Sequence, residues 1–69
     1  METLKKILKE SNITQNEIAK ALNIKSLSTV NLKINGKATF TTKEATVLKK
    51  LINTRLNTNY SLEDLFESY

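Results

Sequence analysis

The side chains of this 69-residue chain that could carry chemistry are carboxylates, lysines, hydroxyls and amides; histidine and cysteine are absent. Their absence removes the commonest general base, the commonest metal ligand, and every thiolate or disulfide. Three of the seven acids are spaced for a structural role, since Glu17 stands three residues after Thr14, Glu44 three after Thr41, and Asp64 three after Ser61. A hydroxyl followed at i+3 by an acid is the spacing with which a helix start satisfies its own N–H groups, so these acids read as capping or dipole residues. Serine and threonine are numerous, but no G-x-S-x-G elbow or phosphate-binding loop accompanies them. The expectation is a protein that is not an enzyme and takes no metal, cofactor or small-molecule substrate.

Charge is the stronger pointer. Eleven Lys and Arg against seven Asp and Glu give a net +4. Residues 1–56 hold all eleven cations and four acids, a surplus of seven, whereas residues 57–69 hold three acids and no cation. A basic body with an acidic end suits an anionic partner for the body. Lysine-rich small proteins are often modestly basic in any case, so charge alone decides nothing.

The elements that must position these groups are helices. Proline is absent and Gly36 is the one glycine, so few residues force a break. Leu4, Ile7 and Leu8 fall on one face of a first helix over roughly Glu2 to Glu10, with Lys5, Lys6 and Lys9 outward. Thr14 opens a second, whose inner face is Ile18, Ala19 and Leu22; Asn23 then turns the chain in the left-handed conformation that Asn tolerates. Ser26 caps a third helix to about Ile34, with Leu27, Val30 and Ile34 on one face, and Asn35-Gly36 ends it. Thr41 opens a fourth, carrying Ala45, Leu48, Leu51 and Ile52 to about Leu56. After a polar loop, Ser61 caps a short fifth with Leu62, Leu65 and Phe66.

This length makes one domain, residues 1–69, with a single small core that buries only about 60% of the unfolded chain's surface. With no disulfide or metal to help, dimerisation is the remaining way to bury more. No run approaches a membrane span, and the start METLKKILKE is amphipathic rather than a signal peptide, which predicts a cytoplasmic protein with no membrane partner.

ITQNEIAKALNI (residues 13–24) and STVNLKINGKATFTTKEA (from residue 28) together resemble the Cro and repressor DNA-binding domains of temperate phages. The likeness lies in Gln15 at the helix start, Ala19 four residues on, Leu22 and Ile24 flanking the turn, and the Lys, apolar, Asn-Gly-Lys and aromatic series before a capped helix. The resemblance covers residues 2–56. It implies an all-α, compact five-helix bundle of the lambda-repressor-like class, with a helix-turn-helix over approximately residues 14–35. Ala19 would be the small residue that lets two helices cross closely. The resemblance further implies that Gln15 clamps a phosphate or a base at the groove edge. Leu27, Ser28, Asn31 and Leu32 would face bases: Ser28 bonding either kind of edge, Asn31 pairing with adenine, Leu32 covering a thymine methyl. Asn35, Lys37 and Thr39 would hold the following backbone strand. For Leu27 a core position is equally open.

Three departures qualify this. One residue more than usual lies between Ile24 and Val30, which leaves the register of the reading residues open by one. The third helix has a single cation, Lys33, at a place commonly apolar, and no arginine for guanine. Leu27 and Leu32 together would form an apolar pair, and exposed apolar pairs often mark protein contacts. Two functions follow. In the first, the protein is a regulator of a phage lysis–lysogeny switch in the bacterial host, a homodimer through its fourth and fifth helices that binds double-stranded operator DNA at half-sites about 34 Å apart. In the second, it is an antirepressor, similar to the small modulator of repression of lactococcal-type phages, whose same face covers the DNA-binding domain of the cognate repressor. Leu62, Leu65, Phe66 and Tyr69 would either pack back on the core or form the dimer face.

Overall fold

The computed structural model describes residues 2–66, Tyr69 lying outside them. They form five helices in the order α1 (Glu2–Ser11), α2 (Gln15–Leu22), α3 (Leu27–Ile34), α4 (Thr42–Leu56) and α5 (Leu62–Leu65), with no strand among the described residues. The starts are fixed locally. Thr14, Thr41 and Ser61 each accept the N–H of the residue three on, and Glu17, Glu44 and Asp64 each return a carboxylate oxygen to the cap's own N–H. Ser26 accepts from Thr29 at 3.4 Å at the start of α3.

The ends of the four longer helices repeat one device. Past each, a single residue enters the left-handed region: Asn12, Asn23 and Asn57 with φ of 58°, 58° and 54°, and Gly36 with φ of 78°. The next N–H then reaches back to a carbonyl five residues earlier: Ile13 to Leu8, Ile24 to Ala19, Lys37 to Leu32, and Thr58 to Asn53. This closes the carbonyls that a helix end would otherwise leave unpaired. Asparagine tolerates the left-handed conformation best among residues with a side chain, so three of the four stops need no glycine.

The inward faces meet in one core of Leu4, Ile7, Leu8, Ile13, Ile18, Ala19, Val30, Ile34, Phe40, Ala45, Leu48, Ile52, Leu65 and Phe66. Helix α4 is its spine, packed against α1, α2 and α5, while α3 is carried on α2. The radius of gyration is 10.7 Å, which matches the roughly 11 Å of a compact domain this long. Of the two roles open for the end of the chain, Leu65 and Phe66 take the core: both are fully buried, and the Phe66 ring meets Phe40 edge-on at 5.2 Å between centroids. Leu62 is half-buried against the same cluster.

Candidate recognition face on the third helix

Helix α3 offers an uninterrupted outer face. With Val30 and Ile34 buried on the inner side, Leu27, Ser28, Asn31 and Leu32 are exposed, and the half-buried Asn35 extends their stripe one turn further. In the turn Asn23–Ser26 Lys25 is exposed, and the helix starts at Leu27 directly after its Ser26 cap. That fixes which residues share the face.

Leu27 is not part of the core stripe. Helical spacing aligns it with Val30 and Ile34, yet it is 44% exposed. At the first position of α3 the stripe overhangs the end of α2, and Leu27 reaches only the rim of a shallow concavity shared with Asn16, Ala19, Lys20, Ile24 and Lys25. Leu32 is equally exposed. These are the two large apolar side chains the described residues present to solvent, and both lie on this face.

Lys33 lies off this face, on another side of α3. Its ammonium donates to Glu44 at 2.5 Å and lies 5.9 Å above the centre of the Phe40 ring, with the side chain only 13% exposed. Residue 33 points toward the start of α4, where Glu44 also closes the cap on Thr41. Burial would raise the Glu44 carboxyl, but hydrogen bonds from Lys33 and the Thr41 N–H, with the charge of Lys33, hold it below its ordinary value. One acid therefore caps α4 and ties α3 to it.

Asn35 is tied to the residue one turn back. Its Nδ2 donates to the backbone oxygen of Asn31 at 2.9 Å and to Asn31 Oδ1 at 3.1 Å. Lys37 and Thr39, in the segment between α3 and α4, are respectively exposed and exposed. Gln15, at the start of α2, is half-buried in another shallow concavity with Lys5, Leu8, Lys9, Ile13, Ile18 and Ile34. Two α1 lysines thus flank Gln15 beside the last residue of α3.

The outer face of α3 itself carries no charged side chain, and lysines lie near both ends of the helix. Lys20 and Lys25 stand by Leu27 at one end of α3, and Lys5, Lys9 and Lys37 at the other. Sequence reasoning missed the ion pairs that set this geometry, Lys33 to Glu44 and Arg55 to Glu17, because they join residues far apart along the chain. The Arg55 contact, then the Thr14 N–H, hold the Glu17 carboxyl below its ordinary value. It missed Asn53 too, whose side chain bonds both backbone groups of Tyr60 and the Thr58 hydroxyl and so holds the loop before α5. Among the described residues no three His, Cys, Asp or Glu side chains gather where a metal could be held, and no helix is long and apolar enough to cross a membrane. No protein-family model, no curated protein and no solved structure compared with the chain matches it.

Proposed function

We propose that this protein is a helix-turn-helix transcriptional regulator of the kind that operates temperate-phage switches, with α2 and α3 as the motif and the outer face of α3 laid in the major groove of duplex DNA. One observation carries this reading: a neutral hydrogen-bonding centre, Ser28 and Asn31 beside Leu32, lies between lysines at both ends of α3. Duplex DNA has the complementary layout, with phosphates along the groove walls and base edges on the floor. Ser28 and Asn31 supply donors and acceptors for base edges, Leu32 an apolar contact for a thymine methyl, and the flanking lysines a sequence-independent attraction.

The test is binding to the promoter region next to the protein's own gene, measured over a range of salt. Binding that weakens linearly in log–log form supports the reading. Lys37→Ala then reduces the slope by about one, the effect of one lost phosphate contact, whereas Lys33→Met leaves it unchanged because Lys33 is committed to Glu44. No shift above the level of unrelated DNA refutes the proposal.

A second reading is favoured by one specific observation: Leu27 and Leu32 are both 44% exposed on a face that carries no charged side chain. An apolar, uncharged helix face also suits a protein partner. In this reading the protein is an antirepressor that covers the DNA-binding domain of the cognate repressor. Co-elution with that domain at micromolar concentration, lost in Leu32→Asp, supports it; separate elution counts against it.

A further inference from the structure

We infer that Asn35 is a positioning residue that fixes the amide of Asn31 in one orientation and thereby makes it a reader of adenine rather than guanine. This rests on the DNA-binding reading above and assigns the base within it. The inference follows from three linked groups. Asn35 Nδ2 lies 2.9 Å from the backbone oxygen of Asn31, and a carbonyl oxygen only accepts, so the group that Asn35 turns toward it must be its NH2. The same NH2 lies 3.1 Å from the end of the Asn31 side chain, which must therefore present an acceptor there, Oδ1. A backbone oxygen thus sets one amide, and that amide sets the next.

Two consequences follow for Asn31. It is exposed on the outer face of α3, and its Nδ2 has no partner among the described residues, so a donor remains for a ligand. Its Oδ1 keeps a second lone pair beside that donor. A donor and an acceptor side by side match adenine, whose major-groove edge offers N7 as acceptor and the N6 amino group as donor. Guanine offers two acceptors, N7 and O6, and an Oδ1 held in place faces O6 with like polarity. An Asn31 freed from Asn35 can rotate and turn both N–H groups of Nδ2 to guanine. The Asn35 anchor therefore disfavours the conformer that tolerates guanine.

Asn35 is well placed to be tested without unfolding α3. Its backbone has φ −84° and ψ 3°, which alanine adopts without strain, and its own N–H bond to the Asn31 carbonyl does not involve the side chain. The experiment selects bound duplexes from a random-sequence library with the full chain, Asn31→Ala and Asn35→Ala, and then measures binding to the selected site with A·T replaced by G·C at each position. The expected result is one position at which the wild-type protein prefers A over G by roughly tenfold, a preference that Asn31→Ala abolishes and Asn35→Ala reduces severalfold at that same position. Preferences elsewhere and the salt slope should be unchanged in Asn35→Ala, which a loss of folding would not permit. Retention of the full preference in Asn35→Ala overturns the inference, as does an equal loss at all positions. A wild-type chain that enriches no sequence overturns the DNA-binding reading and this inference with it; a clear selected site that is indifferent to Asn35 overturns the inference alone.

Discussion

Truncating Phe66 should come close to unfolding the domain. The side chain is fully buried, its ring packs edge-on against Phe40, and it stands directly after α5, a helix of four residues with little stability of its own. Removing a buried phenylalanine ring costs about 3–5 kcal/mol, since the surroundings close only partly over the cavity. Stability of roughly 0.05–0.15 kcal/mol per residue amounts to about 3–10 kcal/mol for a chain of this length. The loss is thus comparable with the whole of the lower figure, and at roughly 4–8 °C per kcal/mol it lowers Tm by roughly 12–40 °C. Urea and thermal unfolding followed by far-UV circular dichroism, at widely separated protein concentrations, measure it. Leu62→Ala, at a half-buried position on the same helix, is the comparison and should cost clearly less. A Phe66→Ala loss below about 1 kcal/mol would show that α5 is not part of the cooperative unit. A wild-type midpoint that rises with concentration, and ceases to do so in Phe66→Ala, would move the residue from the core to a subunit interface.

Asn53→Ala removes three hydrogen bonds that hold Thr58 and Tyr60, and should cost about 2–3 kcal/mol in urea unfolding, against less than about 0.5 for Asn59→Ala on the exposed part of the same loop. Acid should destabilise the fold in a defined window. Glu17, Glu44 and Asp64 have carboxyls lowered from ordinary values of 4.5, 4.5 and 3.8, so their contribution is complete above those values and is lost as pH falls through the lower folded ones. The urea midpoint should therefore begin to drop as pH falls below about 5, and the drop should be shallower in Glu44→Gln, which gives up the Lys33 pair at every pH; an unchanged profile in that variant would refute the role of Glu44.

Helix starts were readable because capping is a local event: Thr14 with Glu17, Thr41 with Glu44 and Ser61 with Asp64 carry the whole interaction within four residues. Ends were readable where a left-handed residue directly followed the last apolar position, as at Asn23 and at Asn35-Gly36. Asn12 and Asn57 serve identically, but an asparagine in a polar stretch suits a loop equally well, and only the bonds from Ile13 and Thr58 distinguish the two. The outer residues of α3 follow from the inward pair Val30 and Ile34 by periodicity. The exposure of Leu27 and the partners of Lys33 and Asn35 do not, because each is set by what lies beyond the position itself: the rim of α2, the acid at the start of α4, and the asparagine one turn back. Periodicity places a Cβ; a neighbour decides where a long side chain goes.

In the DNA-binding reading, the absence of a cation from the outer face of α3 matters for selectivity, Lys33 lying on another side of the helix and paired with Glu44. A lysine on that face would be attracted to every phosphate and to every acceptor on a base edge, a non-directional pull that favours all sequences alike. Paired with Glu44, it instead fastens α3 to α4 and leaves its outer face to directional groups, Ser28 and an Asn31 whose amide is held by Asn35. Charge is displaced to the ends of the helix, at Lys20 and Lys25 on one side and Lys5, Lys9 and Lys37 on the other. If the face binds DNA, affinity and selectivity reside on different side chains, so a substitution at a flanking lysine and one at Asn31 should be separable in binding measurements, the first changing salt dependence and the second changing which base is preferred. A protein partner for this face would need the same division in reverse, an acidic rim around an apolar floor that accepts Leu27 and Leu32.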